Sequence, residues 1–225
     1  MSEHQTSESK RALVVRGGWE GHVPVPASDR YADALKQDGY EVTVSDTLDS
    51  YLDQELLAAT DLIVQCWTMG QITGEQTTGL SNAVRAGTGF AGWHGGIIDS
   101  FRGDTRYQLM TGGQFVHHPH GFTTYRVRPL PEHAEHPILA GIEPFTVTTE
   151  QYYLHMDPAV EVLAVTDYEP DPDNPELAGT VVPVTWTRRW GSGRVFVTAI
   201  GHHLPDLEVP EVDEMIKRGL AWATR

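Results

Sequence analysis

The sequence predicts an α/β fold with an open parallel sheet flanked by helices, and two features indicate it. The 225 residues are enough for one domain with a sizeable core. Short apolar runs that are typical of buried strands alternate with segments of helical periodicity through the first half of the chain. Because such alternation is typical of right-handed βαβ units, we expect parallel strands covered by helices on both faces.

Four strands and three helices are expected in the first half. The predicted strands are the apolar run Ala12 to Val15, then Tyr40 to Ser45, Leu62 to Cys66 and Gly89 to Trp93. The predicted helices are one capped by Ser28 and Asp29 and ended by Gly39, one around Leu52 to Ala58, and one from the capping-box pair Thr73 and Gln76 to about Arg85. Residues 1–10 are polar and without periodicity, so a disordered tail is expected there and a single domain over residues 11–225.

After Asp99 the alternation of strand-like and helix-like segments becomes less regular, and it predicts a small antiparallel insertion after the fourth strand. The expected elements are a helix from about Asp104 to Met110 and short strands at Thr123 to Arg128, Phe145 to Thr149 and Val160 to Thr166. The acidic stretch Asp167 to Glu176 matches no calcium-loop spacing and is expected to be a solvated loop. Strands at Val182 to Thr187 and Val195 to Ile200 and a helix from about Val209 then complete the sheet.

The excess of acidic residues disfavours negatively charged partners. The chain has 16 Lys and Arg against 31 Asp and Glu, a formal net charge of −15 with its 11 histidines neutral. Such an excess repels nucleic acid and anionic membrane surfaces, and basic residues occur at most in pairs, so neither partner is expected. Cys66 is the single cysteine and cannot form an intramolecular disulfide, and the first residues do not resemble a signal peptide. A cytoplasmic location is therefore expected.

Glycine-flanked histidines follow three of the predicted strands. His22 follows the first strand, His94 the fourth and His202 the last. In an open parallel sheet, ligands bind outside the carboxyl ends of the strands, and an imidazole can titrate near neutral pH or bind a metal. One buried histidine is usually structural, but three of them at one edge of a sheet predict a functional cleft.

The segment Gly92 to Gly96 has the pattern of a nucleophile elbow, a strand that runs into a tight turn and presents one side chain. The presented residue is His94. Class I glutamine amidotransferases place a cysteine at such an elbow, because a thiolate must attack the glutamine amide. Cys66 lies at the end of a different strand and is expected to be a small core residue, so glutaminase activity is not expected.

Four segments carry a resemblance to a known family: Phe90 to Phe101, Gly112 to Pro119, Thr149 to Tyr153 and Pro183 to His202. Together they resemble the trehalose-utilisation (ThuA-like) proteins, in the right order and over nearly the whole chain from Arg11 to Thr224. The resemblance implies a flavodoxin-like fold related to class I glutamine amidotransferases without their cysteine. It also implies a role in the catabolism of trehalose or a related disaccharide, including oxidised keto-sugars.

The resemblance also implies a set of polar site residues, and this chain departs from the family pattern at several of their neighbours. The matching residues are His22, His94, Asp99, His118, Glu150 and His202. The family usually has an acidic residue before the glutamate, where this chain has Thr149. The pair His117-His118 leaves open which imidazole faces the cleft, and the match to Pro119 favours His118.

These residues allow two kinds of chemistry, and both stay open. In one, His94, His118 and His202, with Glu150 or His22, bind a divalent metal such as zinc. In the other, His94, Glu150 and His202 are catalytic without a metal, with acid and base acting on a sugar hydroxyl or on the carbon next to a keto group. Ordinary glycosidase chemistry needs two carboxylates, and only Glu150 and Asp99 are available near the cleft.

A small carbohydrate is the expected ligand, and a homodimer is compatible with the aromatic content. Aromatic rings present apolar faces with polar edges that suit a sugar ring. Because side chains alternate along a strand, only one of the two neighbouring tyrosines is expected to point inward. The candidate substrate-binding residues are His22, Trp19, Trp93, Asp99, Tyr152 and Tyr153. A module that binds a sugar or a partner protein without catalysis is the alternative function.

Overall fold

The computed structural model describes residues 9–119 and 121–225, and these residues form eleven strands and seven α-helices. The strands are β1 Arg11–Gly18, β2 Glu41–Ser45, β3 Leu62–Thr68, β4 Gly89–Trp93, β5 Gly113–His117, β6 Thr123–Pro129, β7 Phe145–Thr149, β8 Tyr153–Met156, β9 Glu161–Asp167, β10 Val181–Trp190 and β11 Gly193–Thr198. The helices are α1 Pro24–Gln37, α2 Gln54–Ala59, α3 Gly74–Ala86, α4 Gly95–Ile98, α5 Thr105–Thr111, α6 Leu204–Leu207 and α7 Pro210–Ala223. Most of the predicted tail, residues 1–8, lies outside the described residues.

Nine of the described strands form one sheet, in the order β2-β1-β3-β4-β11-β10-β9-β6-β7. The strands from β2 to β11 pair in parallel, as predicted, and this confirms the α/β class. The predicted antiparallel insertion continues the same sheet, because β10 pairs antiparallel with β11 and β9, β6 and β7 follow it. Strands β5 and β8 form a separate antiparallel pair.

The sheet separates two hydrophobic cores. Side chains alternate between the faces of a strand, so along β1 Ala12 and Val14 enter one core while Leu13 and Val15 enter the other. Helices α1 and α7 cover the first face, and α3 and α5 cover the second. Burial on both faces explains why the parallel strands read as continuous apolar runs.

The helix boundaries follow from local capping chemistry. The capping box predicted for α3 is confirmed, since Thr73 and Gln76 exchange side-chain and backbone hydrogen bonds of 2.9 and 3.2 Å. The predicted start of α1 at Ser28 is wrong, because the helix already begins at Pro24, whose missing N–H costs nothing in a first turn. No helix in the described ranges is both long and apolar enough to cross a membrane.

Candidate functional site

Four imidazoles converge on the carboxylate of Glu150, which directly follows β7. Three of them face its Oε2 atom: His202 Nδ1 at 3.0 Å, His94 Nε2 at 3.1 Å and His22 Nε2 at 3.7 Å. The fourth, His118 Nε2, lies 3.6 Å from Oε1. The first three histidines come from the carboxyl ends of β1, β4 and β11, which is where the strand order predicts a ligand site.

His94 occupies a strained turn between β4 and α4. Its backbone has φ 47° and ψ −144°, a combination that costs a residue other than glycine about 1–3 kcal/mol. A 2.7 Å hydrogen bond from the His94 N–H to the Thr198 carbonyl holds the turn against β11. The glycine at position 95 is required, because a Cβ there would lie 2.3 Å from the ring of His22. The turn therefore presents His94 as an elbow presents a nucleophile.

The proton of His94 is placed by its backbone partner. His94 Nδ1 lies 2.8 Å from the carbonyl oxygen of Ala199, which can only accept, so Nδ1 carries a proton. The side chain is 1% exposed, and burial lowers the pKa of His94 to about 4. The ring is therefore neutral, and its Nε2 directs a lone pair at Glu150 Oε2.

Glu150 is ionised in this surrounding. Burial by itself would raise the pKa of Glu150, but its imidazole neighbours, led by His202, outweigh burial and hold the pKa below its ordinary value. His202 Nδ1 is buried 3.0 Å from Oε2. Because His94 carries its proton on Nδ1, its Nε2 and the carboxylate oxygen face each other as two acceptors, and a cation between them would satisfy both.

The donor set fits a divalent metal. One ligand atom each from His22, His94, Glu150 and His202 lies within 4.8 Å of all the others. Three imidazole nitrogens and one carboxylate oxygen are ligands that zinc takes in proteins. The predicted set was His94, His118 and His202 with Glu150 or His22. Both Glu150 and His22 belong to the observed set, whereas His118 faces the other carboxylate oxygen.

The outer nitrogens of the buried histidines are held as they are in metal sites. His22 Nδ1 lies 2.9 Å from the Thr68 hydroxyl, and His94 Nδ1 donates to Ala199. Tyr152 stacks on the His94 ring at 4.1 Å between centroids, with 24° between the planes. Such second contacts fix the ring planes and direct the inner nitrogens at a common point.

The two neighbouring tyrosines point in opposite directions. Tyr152 is buried beside His94, while Tyr153 packs its ring edge-on against Tyr168, 5.3 Å away. Alternation along the chain separates them, as expected. Tyr152 is part of the site, and Tyr153 is not among the residues brought to Glu150.

Two predicted substrate-binding residues have no surface for a substrate. Trp93 is 1% exposed and packs in the core against Tyr31, at 4.7 Å between ring centroids. Its side chain lies on the face of β4 that helix α1 covers. Asp99 is buried and forms two hydrogen bonds with the Arg102 guanidinium, at 2.5 and 2.9 Å. It ends α4 rather than capping the start of a helix. We therefore remove both from the substrate-binding set.

The neighbouring histidines His117 and His118 have different partners, because the acidic loop Asp167 to Glu176 binds only the first. His117 Nε2 lies 2.7 Å from the buried carboxylate of Asp171, which also accepts a hydrogen bond from Asn174. His118 therefore turns towards Glu150. The loop was expected to be solvated throughout, but Asp171 is buried because it binds this imidazole. Cys66 is also buried, which raises the pKa of its thiol to about 12 and leaves it unreactive.

Several residues near the site were not predicted. Thr149 Oγ1 donates to the buried carboxylate of Asp206 at 2.6 Å, and Phe122 lies 5.2 Å from His202 between ring centroids. Thr68 contacts His22 from the end of β3. Their sequence signal is weak: Thr68 lies two residues beyond the predicted strand Leu62 to Cys66, and neither Phe122 nor Asp206 belongs to a motif.

Comparison with known proteins places the chain in one family. The family model ThuA, described as trehalose utilisation, matches residues 11–223. No curated protein matches the chain significantly.

Solved structures with the same fold share little sequence with the chain. A ThuA-like protein from Bacteroides uniformis has a TM-score of 0.74 at 17% identity, over 99% of this chain and 95% of the other. A ThuA-like protein from Parabacteroides merdae has a TM-score of 0.75 at 14% identity, over 96% and 90%. A cytoplasmic protein from Salmonella typhimurium has a TM-score of 0.64 at 14% identity, over 96% and 100%. These similarities show the fold.

Proposed function

The chain belongs to the ThuA family, described as trehalose utilisation, and from this premise we propose that it is an enzyme of disaccharide catabolism. Its substrate class is trehalose, a related disaccharide or an oxidised keto form of one. The family description and the ionisable side chains collected at the carboxyl ends of the strands support the proposal. A binding module without catalysis would need a pocket but would not need Glu150 inside a ring of imidazoles.

The contact between His94 and Glu150 carries the proposal. His94 Nε2 and Glu150 Oε2 are 3.1 Å apart, and the other nitrogen of His94 already donates to Ala199. Two acceptors held this close in a buried place need a cation between them. We propose that His22, His94, Glu150 and His202 hold a divalent metal such as zinc. When bound, such an ion polarises a carbonyl oxygen or lowers the pKa of a water molecule, and both serve hydrolysis, elimination or isomerisation of a keto-sugar.

The chain's own groups supply the rest of the chemistry. Tyr152, Thr68 and the Ala199 carbonyl hold the imidazoles in one orientation. His118 is more exposed than the other histidines at Glu150, and its Nε2 lies 3.6 Å from Oε1. His118 is therefore placed to take a proton from a sugar hydroxyl or to return one.

A metal-free reaction is the second candidate, and the same contact favours it. A proton shared between His94 Nε2 and Glu150 Oε2 would also relieve the two facing lone pairs. Glu150 would then work as the general acid and base without a metal. Metal content separates the two candidates.

Elemental analysis of protein purified without chelator tests the proposal. The wild type is expected to contain about one equivalent of zinc or another transition metal, and a His94→Ala/His202→Ala variant less than about a tenth of that. His155→Ala is the matched control, because His155 is exposed on β8, and it should keep the metal. Turnover of keto-trehalose should be lost in the double variant and in Glu150→Gln.

The possible outcomes distinguish the metal site, the metal-free reaction and the binding module. A wild type without metal that still loses turnover in Glu150→Gln overturns the metal site and supports the acid and base reaction. A wild type that binds the sugar and yields no product, with Glu150→Gln binding equally well, contradicts the enzyme and supports the binding module.

A further inference from the structure

Two large aromatic side chains remain half exposed at the mouth of the site. Trp19 is 47% exposed and Phe122 is 51% exposed. Their ring centroids lie 6.5 and 5.2 Å from that of His202, which contacts Glu150 directly. The two rings therefore lie next to the same imidazole. Trp19 directly follows β1, and Phe122 directly precedes β6. Exposed apolar surface beside a polar cleft is typical of a binding site.

Trp19 is held in place although it is exposed. Its backbone N–H donates to the Thr68 carbonyl at 3.1 Å, and its ring meets His22 edge-on at 4.8 Å. The ring also lies over Gly21, where a Cβ would come within 2.3 Å of it. Gly21 is thus needed for this position of the ring. A fixed aromatic face binds a ligand at a low cost in conformational entropy.

Phe122 is placed by two imidazoles. Its ring centroid lies 5.0 Å from that of His203, in addition to its contact with His202. Both neighbouring histidines thus contact the Phe122 ring, and about half of the side chain stays exposed to solvent. Phe122 and Trp19 together present apolar faces around polar ring nitrogens, which is the mixture of groups that a sugar ring meets with its C–H faces and hydroxyl edges.

We propose that Trp19 and Phe122 form a subsite for a pyranose ring, the one linked to the sugar that reacts at Glu150. This inference rests on the proposed function and deepens it, because it requires a disaccharide rather than a monosaccharide. The continuity of the two rings with the Glu150 site favours a small ligand. Two side chains are also too little surface for a stable protein interface, which buries about 800 Å² on each partner.

Binding measurements with unmodified sugars test the subsite. Titration calorimetry or ligand-observed NMR with trehalose, maltose and glucose would be done on the full chain, on Trp19→Ala and Phe122→Ala, and on Trp19→Phe and Phe122→Tyr. We expect each alanine variant to weaken binding of the preferred disaccharide by about tenfold or more and that of glucose by less than about twofold. The aromatic replacements should stay within about threefold of the wild type.

The control is Val181→Ala, because Val181 is 57% exposed on β10 and belongs to neither site. Alanine variants that bind the disaccharide as the wild type does would overturn the subsite and leave the proposed function standing. A wild type that binds none of the three sugars would overturn the subsite, whereas the proposed function is tested separately by turnover of keto-trehalose. A dimer that dissociates in Trp19→Ala or Phe122→Ala, detected by sedimentation, would overturn the subsite and identify a contact between two copies.

Discussion

Asp206 is a single residue that connects the two segments carrying Glu150 and His202. Its buried Oδ2 accepts a hydrogen bond from Thr149 Oγ1 at 2.6 Å and one from the His203 N–H at 3.2 Å. Each donor is the direct neighbour of a site residue. An acidic side chain in place of Thr149 would face Asp206 with like charge.

Removal of this carboxylate should loosen the site. Asp206→Ala leaves the Thr149 hydroxyl buried without a partner, so we expect unfolding to become easier by about 1–3 kcal/mol. Because Glu150 and His202 lose a shared support, metal affinity should fall by about 10-fold to 100-fold. Urea unfolding and metal titration measure the two effects, and Glu208→Ala, an exposed acid next to α6, is the control.

A double-mutant cycle with Thr149→Val isolates the contact. If Thr149 and Asp206 act through their hydrogen bond, the double variant should lose less stability than the two single losses together. Additive losses would show that Asp206 acts elsewhere, through the His203 backbone or the charge alone.

Single residues were predictable where a rule of the fold applies to them. His22, His94 and His202 follow parallel strands, and the rule that ligands bind at strand ends picks them out. Glu150 came from the family resemblance, because it follows an antiparallel strand where no such rule applies. Phe122 and Asp206 could not be found, since their role depends on partners far away in the chain.

The elbow between β4 and α4 shows how tightly an element is constrained. Gly92 lies in β4, where a Cβ would come within 2.5 Å of the Gln65 carbonyl oxygen and 2.9 Å of the Ile97 Cβ. Strand β3 and helix α4, which begins directly after His94, can therefore approach β4 this closely only at a glycine. The elbow segment was predicted from its pattern, and its closeness to β3 explains the glycine at position 92.

An added methyl group at this position should force the elements apart. Gly92→Ala is expected to lower the free energy of unfolding by about 1–3 kcal/mol, since neither the Gln65 backbone nor the core around Ile97 can move easily. Gly103→Ala is the matched control, because a Cβ there meets nothing within 4 Å, and it should change stability by less than about 0.5 kcal/mol. Chemical denaturation of both variants provides the measurement. Equal stability of the two would contradict the tight contact.

Elements were predictable where the pattern is local. Strand β4 and strand β7 have the predicted bounds, because an apolar run and an alternating run define them. Strands β5 and β8 were not predicted, since β5 lies among His, Pro and Gly residues and pairs with a segment about forty residues later. Such pairing depends on distant contacts, and a local window contains no signal for it.

At the scale of the whole molecule, the site joins the parallel and antiparallel halves of the sheet. His22, His94 and His202 follow strands of the parallel half, and Glu150 follows β7, the last strand of the antiparallel half. The carboxylate meets its imidazoles only when both halves are folded. The site therefore forms only when the whole sheet is folded, because neither half of the sheet alone provides all four residues.

The net charge of −15 acts on this whole fold. Repulsion among carboxylates reaches far at low salt, where the screening length is about 30 Å at 0.01 M, and is confined to about 8 Å at 0.15 M. Exposed ion pairs such as Arg11–Glu41 and Lys36–Asp33 lose strength at the same time, but each contributes at most about 1 kcal/mol. The long-range repulsion should outweigh them, because acids outnumber bases by 31 to 16.

Salt is therefore expected to stabilise the protein. Between about 0.01 and 0.15 M NaCl, we expect the Tm of metal-stripped protein to rise by about 2–4 °C, which corresponds to roughly 1 kcal/mol for a domain of this size. Tetramethylammonium chloride should give the same rise, since screening does not depend on the identity of the cation, whereas a rise limited to sodium would indicate a specific ion site. A Tm that falls with salt would mean that the ion pairs stabilise the fold more than the excess of acids destabilises it.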